Sequence, residues 1–324
     1  MIRLFDTELY FNRIHEFDHI PYVQSRAWHN YLLSKGEKLV YFIDNQNDTL
    51  IAFFGREKRI PATKQKILLV DTPLIKPGLS EKTIRNRLMP LMQANYLGIE
   101  IDSISEYNIE VEIGLRRAGF VRPLKLSKCP LTIVIELDKP FNFDTKWKRD
   151  VKSASDCGII VKEVINPAIE DAVTFTMLFK ELRENKGLKY DFSPEAIFAL
   201  LNGPGIRMFF ALENSIVVSA QIIYVNNGYC YSILRANSLK SRDNNASYLV
   251  YNTILETLAK EKNICIDLGR IPPSNHETDK VYHFKNKSRG IKIQYNGEWV
   301  FYKNKRIEDL MFFYKHYVLR LNRY

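Results

Sequence analysis

The stretch VYHFKNKSRG, residues 281–290, sets Phe284 beside Lys285 among further cations, with Lys280 just before it and Gly290 at its end. A lysine ammonium is a point charge with three N–H donors, so its partners are phosphates, carboxylates and oxygens that turn negative during a reaction. Lys280, Lys287, Arg289 and Lys292 would add attraction to a polyanion's backbone without reading its bases. The whole chain leans the same way. Its 324 residues carry a formal charge of +10, and from residue 280 onward there are eleven lysines and arginines against three acids, so eight of those charges lie in the last seventh. That concentration implies an anionic partner: a nucleic acid, a nucleotide diphosphate or an acidic membrane surface. A solvated basic face is the plain alternative.

Other chemistry is scarce. There is no GxSxG elbow, and His29, His276 and His283 lie in separate segments, so no nucleophile with a base is evident. Cys129, Cys157, Cys230 and Cys265 form neither CxxC nor a Cys/His cluster; they read as small buried hydrophobes in a reducing compartment, with no metal site. No apolar run approaches the ~18 residues of a membrane span, and the N-terminus lacks a signal-like core, so a cytoplasmic protein is expected. Asp267 closes an apolar strand, where α/β sheets present ligand-contacting groups, and a carboxylate capping the next turn is the competing role. Arg149 on a predicted helix is either an anion binder or a surface arginine.

The elements behind these residues repeat. LVYFIDNQNDTLIAFFGREK (39–58) reads as a hairpin of two apolar runs about a polar turn, and MFFALENSIVVSAQIIYV (208–225) has the same form 169 residues later. MPLMQANYLGIEIDSIS (89–105) and LETLAKEKNICIDLGRI (255–271) each read as a helix entering a strand that ends in an acid, Asp102 against Asp267, at an offset of 165. Basic segments closing on glycine follow both. Three matched blocks argue for two copies of one α/β unit. Between them, LTIVIEL is a predicted strand, Asp144 an N-cap, the helix after it carries Trp147 and Arg149, and GIIVKEV is another strand. The expected division is residues 1–139 and 140–324, the latter with the basic C-terminal segment. NGYCYSILRAN (227–237) is a strand, SLKSRDNNAS a polar loop, and a helix starts near Ser247, with Lys240 and Arg242 ahead of it as a candidate anion seat.

In this order the chain resembles the FemABX family: Gln24-Ser25 with Trp28 early, Arg149 in the mid-chain helix, Asp267-Leu268-Gly269-Arg270 ending a strand, then Phe284-Lys285 with Gly290. The resemblance implies two tandem GNAT-like (acyl-CoA N-acyltransferase fold) domains, mixed twisted sheets flanked by helices. It implies transfer of an aminoacyl group from aminoacyl-tRNA to an amine of a nucleotide- or lipid-linked peptidoglycan or surface-glycan precursor, without a cofactor. On it, Lys285 steadies the tetrahedral oxyanion and Asp267 is the candidate base. Phe284, Gln24, Trp28, Arg149, Gly269, Arg270, Tyr231 and Asn244 are the substrate-binding set. Departures are visible too. Leu32 stands where substrate-binding members carry a lysine, and SRDNNAS has no glycine for close approach of a coenzyme A diphosphate. Two rivals stay open: an acyl-CoA-dependent N-acyltransferase acting on an amino sugar, and a non-catalytic RNA- or membrane-surface-binding protein. The aromatic, basic stretch RIEDLMFFYKHYVLRLNRY, with Lys315, Arg320 and Arg323, either docks on its own domain or makes peripheral contact with an anionic membrane, placing the protein at the membrane's inner face.

Overall fold

The computed structural model describes residues 1–60, 64–126, 128–273 and 280–318; His276, Arg320 and Arg323 lie outside them. Runs rich in β-branched and aromatic residues form the strands. Those of the first half are β1 (Ile2–Leu4), β2 (Leu39–Ile43), β3 (Ile51–Arg59), β4 (Lys66–Asp71), β5 (Leu74–Ile75) and β6 (Gly98–Glu106). After them come β7 (Leu131–Glu136), β8 (Ile160–Val164), β9 (Ile206–Glu213), β10 (Ile216–Asn226), β11 (Tyr229–Asn237), β12 (Cys265–Arg270) and β13 (Ile291–Tyr302). Among the described residues they make one continuous sheet in the order β1-β2-β3-β4-β6-β13-β7-β12-β11-β10-β9-β8, with β5 beside β3.

The duplication is visible in the pairing. β2 to β3 and β3 to β4 are antiparallel, and β4 to β6 is parallel across the helix Glu81–Met92. β9, β10, β11 and β12 repeat that series, with the helix Ala246–Lys260 as the crossover. Asn214 and Ser215 turn β9 into β10 at φ of 48° and 66°, the left-handed pair that a two-residue hairpin turn requires. Asp144 caps the helix Thr145–Asp156, accepting from the Lys146 N–H, as its position in the sequence predicts.

The sheet crosses the 139/140 line three times, in the run β6-β13-β7-β12. β7 pairs with β12, and Ile133 and Ile135 are buried in the core of the second half. β13 pairs with β7 through Ile291–Gln294 and then with β6 through residues 295–302, so one strand serves both halves. A buried cluster also spans the junction, packing Tyr10, Phe11 and Ile14 together with Phe175, Leu200 and Met208. There the helix Arg26–Ser34 runs so close to Gly203 that a Cβ on the glycine would overlap Ala27. Of the four cysteines, Cys230 is buried and Cys129 and Cys265 are half-buried. Cys157 is exposed because its helix ends there in solvent.

Candidate active site

β11 and β12 pair in parallel only from Tyr229 to Tyr231 and from Cys265 to Asp267. Beyond that point β11 runs on to Asn237 while Arg270 of β12 pairs with Thr132 of β7, so the two strands part toward their C-terminal ends. Gly269 turns the backbone there at φ +77°, a conformation open to glycine. Its N–H is held by Asp267 Oδ1 at 2.7 Å, which also accepts from Thr132 Oγ1 at 2.5 Å, while Oδ2 accepts from the Tyr295 hydroxyl at 2.6 Å. Burial raises the Asp267 carboxyl above its ordinary range, against the pull of these three hydrogen bonds. Both Asp267 oxygens are thus engaged in holding this turn.

Lys285 reaches the parted strand ends from the helix Lys280–Asn286. It is buried, and its Nζ donates to the carbonyl oxygens of Gly269 at 3.0 Å and Arg270 at 2.9 Å. An ammonium has three N–H groups, so one remains beyond these two bonds. Burial, then repulsion from Arg235, brings the ammonium down to about 7, with Asp267 opposing. Phe284 turns the other way, its ring 5.4 Å from Trp147, 4.7 Å from Tyr248 and 5.3 Å from Tyr251. This packing anchors the helix that presents the lysine. Gly290 follows because β13 starts against β7: a Cβ there would stand 2.6 Å from the Val134 carbonyl oxygen.

A group of cations lies within electrostatic reach of one another beside Lys285. Arg235, on β11, lies 4.9 Å over the Phe284 ring. The amine of Lys186, at the end of the helix Ile169–Lys186, is depressed by burial and then by Arg235, Arg242 and Lys280. None of these four forms an ion pair among the described residues. Arg242 and Lys280 were singled out in the sequence, whereas Lys186 and Arg235, which lie within electrostatic reach of them, were not. A cation inside the strand run YSILRAN was the available signal for Arg235.

The remaining expectations divide. Arg270 donates to Asp102 Oδ1 and to the Cys129 carbonyl, both at 2.5 Å, and Lys128 holds Asp102 Oδ2 at 2.5 Å. Asp102 lines a cavity of about 640 Å³ over the first-half sheet, with Arg56, Asp71, Lys128 and Trp299 among its walls. Tyr231 meets His19 Nε2 at 2.5 Å, and Trp28 joins it through Tyr22, whose ring is 5.2 Å from Trp28 and 5.8 Å from Tyr231. The buried Trp28 indole N–H has no acceptor among the described residues. Gln24 is a structural pin: Oε1 accepts from Tyr10 and the Phe54 N–H, and Nε2 donates to the Phe54 and Asp71 carbonyls. Asn244 also serves its own fold, accepting from the Ala246 N–H and donating to Glu213.

Arg149 is exposed, since Trp147, Asp150 and Ala154 form the inward face of its helix, and its nearest charge is Asp150 at 4.0 Å. Lys287 is half-buried on Tyr248 at 2.8 Å, and Arg289 reaches Asp144 at 3.5 Å. Lys280 and Lys292 are exposed. Leu32 is buried in the cluster spanning the junction.

No protein-family model matches the chain, and no curated protein matches its sequence. Solved structures do. The crystal structure of FemX covers 96% of this chain and 100% of its own at 12% identity, with a TM-score of 0.76. L-PGS from Bacillus licheniformis covers 98% of this chain and 96% of its own at 14% identity, with a TM-score of 0.64. A tandem GNAT protein from the clavulanic acid biosynthesis pathway covers 82% of this chain and 83% of its own at 12% identity, with a TM-score of 0.51. The fold is a tandem GNAT-like α/β fold.

Proposed function

We propose that the chain is an N-acyltransferase that moves an aminoacyl group from charged tRNA to an amine of a cell-wall or surface-glycan precursor. The observation that carries this reading is the buried Lys285 ammonium, held by the Gly269 and Arg270 carbonyls with one N–H to spare where β11 and β12 part. The acceptor amine forms the new C–N bond while the ester carbonyl becomes an alkoxide. Collapse breaks the C–O bond to the terminal ribose, and the proton lost by the amine ends on that ribose oxygen. A fixed donor in a low-dielectric site stabilises the alkoxide more than water would. Lys285 is that donor.

Lys186, Arg235, Arg242 and Lys280 are suited to the phosphates of the donor's end, and their lack of carboxylate partners among the described residues supports this. The acceptor is assigned to the cavity bearing Asp102, which Arg270 joins to Lys285 through its own side chain and backbone. An acyl-CoA donor is the second reading. The helix Ala246–Lys260 starts without a side-chain bond from its N-cap residue, close after Arg242, and a diphosphate suits that place.

The test supplies purified protein and a panel of amino-sugar and peptidyl amines with labelled aminoacyl-tRNA or acetyl-CoA. Expected is label transfer from tRNA, lost in Lys285→Ala. Transfer from acetyl-CoA alone would move the donor to the second reading. Full transfer by Lys285→Ala would remove the proposal.

A further inference from the structure

After β13 the chain forms the helix Lys305–Phe313, continued by a wider turn over Tyr314–Val318. Its inner side, with Met311, Phe312, Lys315 and His316, closes the cavity over the first-half sheet. Its outer side carries Phe313, Tyr317 and Val318, flanked by Leu310 and Tyr314, which also reach the cavity rim; together they form a stripe at helical spacing, each between 43 and 63% exposed. Leu124, 74% exposed, lines the same cavity. Large apolar groups spaced this way on one helix face are normally turned inward.

Charge decides what covers this face. Lys303, Lys305 and Arg306 at the start of the stripe, and Lys125 beside Leu124, are exposed and form no ion pair among the described residues. The acids on the same helix are Glu308 and Asp309. Aromatic and aliphatic side chains flanked by unpaired cations match a bilayer interface, where rings sit at headgroup level and lysines and arginines meet lipid phosphates. The apolar area is on the order of 500 Å², short of the ~800 Å² per partner that a stable dimer commonly buries. No helix among the described residues is long and apolar enough to cross a membrane, so the fit is to a surface.

We infer that the outer stripe of Lys305–Val318, together with Leu124, docks this protein on an anionic lipid surface. The inference stands apart from the transfer reading, because docking is measured with no donor or acceptor present.

The full chain is mixed with vesicles of phosphatidylcholine, with or without phosphatidylglycerol, and sedimented. Expected is binding to the anionic vesicles only, weakening as salt rises. The double variant Phe313→Ser/Tyr317→Ser should lose roughly tenfold or more in affinity, about what 1.4 kcal/mol carries, with its thermal melt unchanged because both rings are exposed. Lys305→Glu/Arg306→Glu should remove the salt-sensitive part. Absent binding by folded protein, equal binding by the aromatic double variant, or a dimer in light scattering that this variant dissociates would overturn the inference, the last by making the face a contact between copies.

Discussion

Arg270 and Asp102 are bonded across the two copies of the repeat: the arginine lies three residues beyond Asp267, and its partner is the first-half counterpart of that aspartate. Burial would raise the Asp102 carboxyl, but Lys128 and Arg270 overcome it and hold the group below its ordinary value. The Arg270 carbonyl meanwhile accepts from Lys285. A single residue therefore ties the first-half cavity to the lysine of the second half.

Replacing Arg270 with methionine should leave Asp102 with Lys128 alone and cost about 2–4 kcal/mol, since removing one partner strands a largely buried charge. Arg270→Lys should restore little, because the guanidinium serves Asp102 and the Cys129 carbonyl together. Urea unfolding measures both; a loss under ~0.5 kcal/mol would make the pair incidental.

Lys285→Ala should lower kcat by about 100–1000-fold, the usual loss for one oxyanion donor, with the donor KM little changed. Steady-state kinetics with a fixed acceptor provide the check. A rise in KM at constant kcat would make Lys285 a binding group instead.

Lys285 also makes stability depend on pH. In the unfolded chain its amine holds a proton up to its ordinary 10.5, whereas the folded site releases it near 7. Between these values the unfolded state binds more protons, so this lysine's penalty is complete below pH 7 and fades as pH rises toward 10.5. Wild type should gain stability over Lys285→Met by up to ~1.4 kcal/mol per pH unit in that window. Paired denaturation curves at pH 7.5 and pH 9, roughly mid-window, give the difference, and parallel curves would place the amine in solvent.

Gly290→Ala should disturb the entry of β13, since the added carbon meets the Val134 carbonyl and the side chains of Ile133 and Ile135. Something of order 1–3 kcal/mol is expected, as for other overpacked sites. Activity should fall with it because the Lys280–Asn286 helix precedes that strand directly. Thermal melts and turnover should move together.

Much of the repeat was legible because hairpins and helix-to-strand units announce themselves through local apolar runs. Asp267, Gly269 and Lys285 were legible as a spaced set, and they meet within hydrogen-bond distance. The outward facing of Arg149 was not legible, because it depends on which positions of its helix, 147, 150 and 154, are buried. Nor was the engagement of the Gln24 amide by backbone groups of β3 and β4. Lys186 and Arg235 sit on elements brought together only by the tertiary fold, which no local pattern reports. The double service of β13 was hidden for the same reason, as pairing order in a sheet is non-local.

That double service bears on synthesis at the ribosome. The strand completing the first-half sheet is translated long after it, so β6 waits with an open edge while nearly two hundred further residues emerge. A nascent first half is thus an exposed, adhesive intermediate until β13 arrives. Translation arrest before residue 295 should leave a species that chaperones retain.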